Sequence, residues 1–94
     1  MDERIRSERI NGGKQITLLC QQILAEMGVA HAGMEWDPPT DKNDSEGNYV
    51  LKVYRDGRAV ITCSMDASLV EDYPQRQDNK VEQRLRQCIA ASIA

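Results

Sequence analysis

Two arginines, Arg55 and Arg58, flank an Asp56-Gly57 dipeptide, and Lys52 and Tyr54 stand just before them. A guanidinium presents a planar fork of donors that matches a carboxylate or a phosphate. Two such forks beside a tyrosine ring are therefore a candidate site for an anionic group on a partner. The same side chains also serve to keep an exposed strand in water and to blunt its edge against aggregation. Trp36, ahead of Pro38-Pro39, is a second candidate. Exposed, it would anchor a contact; buried, it would close the core of a chain that has no Phe. Lys52, Tyr54, Arg55, Arg58 and Trp36 are the nominated partner-binding residues.

Chemistry of other kinds finds little support. Nucleophilic catalysis asks for a cysteine or serine held by a histidine. His31 is the single histidine, and its neighbours Ala30 and Ala32 suit a half-buried structural imidazole. Cys20, Cys63 and Cys88 show no CxxC spacing and fall on the apolar sides of their segments, so all three are expected as buried free thiols. Reduced thiols in turn point to the cytoplasm. In the acidic stretch, Asp41, Asn43 and Ser45 alternate as in a calcium loop of the EF-hand kind. Glu46, however, stands where that loop turns on glycine, and Lys52 where its bidentate glutamate belongs. Gly12-Gly13 has neither the spacing nor the preceding strand of a phosphate-cradling loop. No catalytic residue, metal or cofactor is expected, and the chain is read as a non-enzyme.

The residues that must position these side chains are few. Ninety-four residues and 10.6 kDa allow one small domain, 1–94. Leu, Ile and Val number 6, 7 and 6, or 19 of 94, which supports only a thin core. A partner chain, such as a second copy, would help to cover it. Twelve Lys and Arg against fifteen Asp and Glu leave a net charge of −3, whereas nucleic-acid binders normally carry a basic excess. Glu35 to Gly47 alone sums to −4, so the rest of the chain is nearly balanced. The opening MDERIRSERI alternates charge and is no secretory signal, and no run approaches the ~20 apolar residues of a membrane span.

Periodicity places the elements. Ile16, Leu19, Cys20, Ile23, Leu24 and Met27 form one stripe of a 3.6-residue period, closed by Gly28, so a helix is expected over 14–27. Asn11-Gly12-Gly13 reads as a break, which makes 1–13 a short helical or frayed arm. A short strand is expected within 29–36, weakened by Gly33, followed by a mobile acidic loop over 37–48. Tyr49 to Met65 is a β-hairpin. A three-residue loop, Arg55-Asp56-Gly57, pairs Tyr54 with Arg58 and gathers Tyr49, Leu51, Val53, Ala59, Ile61, Cys63 and Met65 on one face. Lys52, Tyr54, Arg58, Val60 and Thr62 then share the other. Ala67 to Asp72 is a helical turn stopped by Tyr73-Pro74. A last helix over 80–93 follows, carrying Val81, Leu85, Cys88 and Ile89 on its apolar side.

The expected fold is α+β, in the order α-(β)-β-β-α, with two amphipathic helices on one face of a small antiparallel sheet built around the 49–65 hairpin. That order resembles the double-stranded RNA-binding domain. The last helix here opens Asp78-Asn79-Lys80-Val81-Glu82 in place of that module's basic start, so the likeness covers element order alone and carries no residue over. The expected function is a small intracellular protein-interaction module, self-associating, which meets its partner through the basic hairpin face or an open strand edge. A nucleic-acid-associated factor using the Arg/Lys patch of the hairpin is the alternative.

Overall fold

The apolar stripe of the first helix continues backwards through Gly12, Arg9 and Ile5. In a computed structural model, which describes residues 3–40, 47–76 and 79–93, helix α1 (Glu3–Glu26) accordingly runs unbroken through Asn11-Gly12-Gly13. The arm is helical, and the expected break is corrected by what lies against the two glycines. Both are buried. A Cβ on Gly12 would overlap the carbonyl oxygen of Val70, and one on Gly13 would sit 2.8 Å from the Thr40 side chain. Two helical glycines cost about 2 kcal/mol in intrinsic propensity; here Gly12 lets α2 approach the α1 backbone and Gly13 makes room for Thr40. The C-terminus follows the expectation. Gly28 is left-handed at φ 69°, its N–H donates to Ala25 at 3.2 Å, and the Val29 N–H donates to Leu24 at 2.9 Å, a Schellman cap.

Strand β1 (Gly33–Asp37) is antiparallel to β2 (Asn48–Arg55), which is antiparallel to β3 (Arg58–Asp66), in the sheet order β1-β2-β3. The strand expected within 29–36 thus exists but starts at Gly33, and Asp37 and Asn48 belong to strands, not to the loop between them. The peptide Asp37-Pro38 is cis. The acidic stretch 41–46, with its calcium-loop positions, lies outside the described residues.

The hairpin corrects its expected turn. Arg55 pairs with Arg58 across a two-residue loop whose residues both have positive φ, Asp56 at 55° and Gly57 at 77°, the geometry that matches strand twist. Such a loop alone would turn the apolar residues of the two strands to opposite faces. Val60 prevents this. The register passes from Tyr54↔Ala59 to Val53↔Ile61, leaving Val60 as the extra residue of a β-bulge. Parity is restored, and Tyr49, Leu51, Val53, Ile61, Cys63 and Met65 are all buried on one face. Ala59, expected with them, is exposed at the tip.

Three helices cover that face where two were expected. The short turn is a full helix, α2 (Ala67–Arg76), with Pro74 inside it, and α3 (Asn79–Ile93) completes the layer. Pro74 offers no N–H to the Val70 carbonyl four residues before it. That carbonyl is the one lying against Gly12, so the packing of α1 on α2 sustains the helix past the proline. Ile16, Cys20, Ile23 and Leu24 from α1, Val70 from α2 and Val81, Leu85 and Ile89 from α3 meet the strands in one core. The architecture is the expected α+β domain in the order α-β-β-β-α-α.

Candidate functional site

Because all three helices pack on one side, none of the described helices covers the other side of the sheet, and strand alternation decides what it shows. Lys52 and Tyr54 of β2 lie there opposite Glu35 and Gly33 of β1. Lys52 Nζ donates to Asp37 Oδ2 at 2.9 Å. This bond, with the Asp37 charge, holds the ammonium above its usual pKa. Tyr54 is also raised, by desolvation first and then by its hydrogen bond to Glu35. The face expected to be basic is therefore a mosaic in which β1 supplies the acids that answer Lys52 and Tyr54.

The five nominated residues stand in three places. Arg55 and Arg58 are exposed at the hairpin tip, directly opposite one another. Neither has an acidic partner among the described residues. The two-residue loop puts both on the side of the sheet away from Tyr54, so Arg58 does not share the face of Lys52 and Tyr54 as expected. Trp36 pairs with Leu51 and turns toward the helices. Its Nε1–H donates to Thr17 Oγ1 at 3.0 Å and the Gly13 carbonyl at 3.3 Å, and its ring meets Tyr49 edge-on at 6.4 Å. The half-buried ring also lines an open groove of about 380 Å³ with Ile10, Lys14, Pro39 and Thr40. Trp36 is thus both a closure of the core and a wall of a surface groove.

Against Tyr49 sits a residue from the segment 1–13 that is expected as an arm. Arg9 is 4% exposed. Its Nε donates to Glu71 Oε1 at 2.5 Å and its Nη1 to the Tyr49 hydroxyl at 3.1 Å, while its guanidinium lies 5.7 Å from the Tyr49 ring centroid. Burial lowers its pKa, and the bonds to Glu71 and Tyr49 outweigh that, so the net shift is upward. Arg9 clamps α1 to α2 and β2, with its donors directed into the protein. The available signal was its place in the stripe Ile5, Arg9, Gly12, Ile16, visible only if the helix is carried through the glycines.

The cysteines also depart from expectation. Cys63 of β3 and Cys88 of α3 form a disulfide, with Cα atoms 5.6 Å apart across 25 residues of sequence. The cytoplasmic expectation loses the argument from reduced thiols on which it rested. Only Cys20 is a free thiol; it is buried, and desolvation pushes its pKa up to about 11, which suppresses the reactive thiolate. His31 is half-buried outside the strands, and its Nδ1 has no hydrogen-bond partner among the described residues. Among the described residues, no three His, Cys, Asp or Glu side chains are grouped to hold a metal, and no helix is long and apolar enough to cross a membrane. Comparison with family models, with curated proteins and with solved structures finds no match to this chain.

Proposed function

We propose that this chain is a non-enzymatic protein-interaction module that receives an acidic group of a protein partner at its hairpin tip, between Arg55 and Arg58. The observation that carries the reading is the pair Arg55↔Arg58. Like charges directly opposite on neighbouring strands repel, and a carboxylate between two guanidinium forks removes that cost.

Geometry favours the tip over the edge of β3. The Ser64 carbonyl of edge strand β3 accepts from Arg84 Nε at 3.2 Å, and the Val60 bulge twists the same edge. Strands about 4.8 Å apart with a rise of about 3.3 Å per residue give the uncovered face an area of roughly 350 Å². That is less than half of the roughly 800 Å² per partner in a standard interface, so the uncovered face alone is too small for such a contact.

The experiment compares wild-type protein with the Arg55→Glu/Arg58→Glu double variant in binding to an immobilised Glu-rich peptide and to single- and double-stranded oligonucleotides at about 50 mM salt. Salt-sensitive retention of the peptide by wild type, lost in the variant with unchanged circular dichroism, supports the reading. Failure of wild type to bind the peptide overturns it. Binding of oligonucleotide alone, abolished by the variant, replaces it with the nucleic-acid alternative, which the same arginine pair favours.

A further inference from the structure

The sheet has two edges, and they differ. The Ser64 carbonyl of β3 is taken by Arg84 and the Val60 bulge twists that strand, whereas β1 pairs among the described residues with β2 alone. Alternate residues of an antiparallel edge strand aim their N–H and C=O groups away from the neighbour. The groove beside Trp36 follows this edge. It is lined by Ile10, Lys14 and Thr17 of α1, by Glu35 and Trp36 of β1 and by Pro39, and by no residue of β2 or β3. Glu35 and Trp36 belong to opposite faces of the strand. A groove that touches both, and nothing of β2, therefore runs past the outer edge of β1.

Three features select the occupant. The polar groups of the groove floor already satisfy one another: Trp36 Nε1–H donates to Thr17 Oγ1 and the Gly13 carbonyl, and the Thr17 hydroxyl donates to that carbonyl at 2.8 Å. What remains on offer is the indole with Ile10 and Pro39, a surface for an apolar side chain. Charge is answered on one rim only. Glu35 accepts from Tyr54, but Lys14 is exposed with no acidic partner among the described residues. The third feature is the strand edge itself, which asks for another backbone. An extended peptide supplies all three needs, because its residues i and i+2 point to one face. A small molecule would fill the 380 Å³ groove and leave the β1 backbone unpaired. A second copy of β1, antiparallel about the middle of the strand, would set Glu35 against Glu35.

We infer that the outer edge of β1 takes up an extended acidic peptide as a fourth strand, with an apolar side chain against Trp36 and, two residues along, a carboxylate on Lys14. β1 is five residues long and Pro38 follows it, so the added segment is of similar length. The groove involves neither arginine of the hairpin tip, so the site stands independently of the reading above.

Trp36 is the one tryptophan of the chain, and its fluorescence reports on the groove directly. The probes are acetylated and amidated pentapeptides Thr-Z-Thr-Glu-Thr, with Z as Val, Ile, Leu, Met or Phe, titrated into the full chain. At least one is expected to saturate the fluorescence change below about 1 mM. Lys14→Glu should weaken that peptide about fivefold, and a peptide with Lys for Glu should recover binding to the variant. N-methylation of one alternate set of peptide nitrogens should abolish binding and of the other set leave it intact, the signature of pairing along one edge. Isocaproate, an apolar group and a carboxylate without a peptide backbone, should bind at least about tenfold more weakly. Circular dichroism establishes that Lys14→Glu is folded. Arg55→Glu/Arg58→Glu protein should bind the peptide as wild type does, which separates this result from the fate of the hairpin contact. No fluorescence change with any probe, equal affinity in Lys14→Glu, indifference to both methylation patterns, or isocaproate as tight as the peptide would each overturn the inference.

Discussion

Helix α1 contains glycines at both its middle and its end, and the two places use the residue for opposite reasons. Gly28 terminates the helix in the left-handed region, where open space surrounds it and a side chain would strain only the backbone. Gly12 has ordinary helical geometry, and what matters is the absent Cβ, whose place is taken by the Val70 carbonyl of α2. The same residue type is read at Gly28 from its own backbone and at Gly12 from a residue 58 positions away. A glycine pair in sequence therefore marks either a turn or a close approach, and the propensity cost of about 1 kcal/mol per residue does not distinguish them.

Four glycine-to-alanine substitutions test this contrast. Gly12→Ala should cost the most, about 3 kcal/mol, because the obstacle is backbone and the helices must separate. At this chain length that lowers Tm by roughly 15 °C in a calorimetric melt. If the variant instead gains the ~1 kcal/mol that helix propensity alone predicts, the close approach is wrong. Gly13→Ala should cost about 1 kcal/mol net, since its obstacle is the Thr40 side chain, which can turn away. Thr40→Ala should rescue Gly13→Ala in urea titrations but leave the cost of Gly12→Ala intact. Gly28→Ala should also lose about 1 kcal/mol, entirely from the positive φ, and Gly28→Asn should lose less because asparagine tolerates that region. Gly33→Ala should gain up to about 0.5 kcal/mol: no atom lies within 4 Å of the added Cβ and the backbone there is extended. A loss at Gly33 in the same titration would show a neighbour that the fold does not place there.

The hairpin repeats the lesson at the candidate site. Its apolar face was legible because Leu51, Val53, Ile61 and Cys63 can share a side in only one parity, and burial favours that parity. The means of achieving it was not legible. The Asp56-Gly57 loop follows local turn chemistry and the bulge at Val60 compensates, so Arg58 faces Arg55 and leaves Tyr54. The acids that answer Lys52 and Tyr54 arrive only through the pairing of β1 with β2. Arg9 escaped notice for the same reason as Gly12: its partners Glu71 and Tyr49 are 62 and 40 residues distant.

Sequence alone determined whatever depends on neighbours within a turn or along one strand: the stripe from Ile16 to Leu24 (Met27, expected in it, is exposed), the cap at Gly28, the inward face of the hairpin and the stripe of the last helix. Tertiary structure decided what depends on groups far apart in the chain. Among these are the continuity of α1 through Gly12-Gly13, the persistence of α2 past Pro74, the Cys63–Cys88 bond and the charge pairing around Lys52. The physical reason is range. Hydrogen-bond periodicity and backbone torsions act over a few residues, whereas close packing and ion pairing depend on which distant atoms fill the adjoining space.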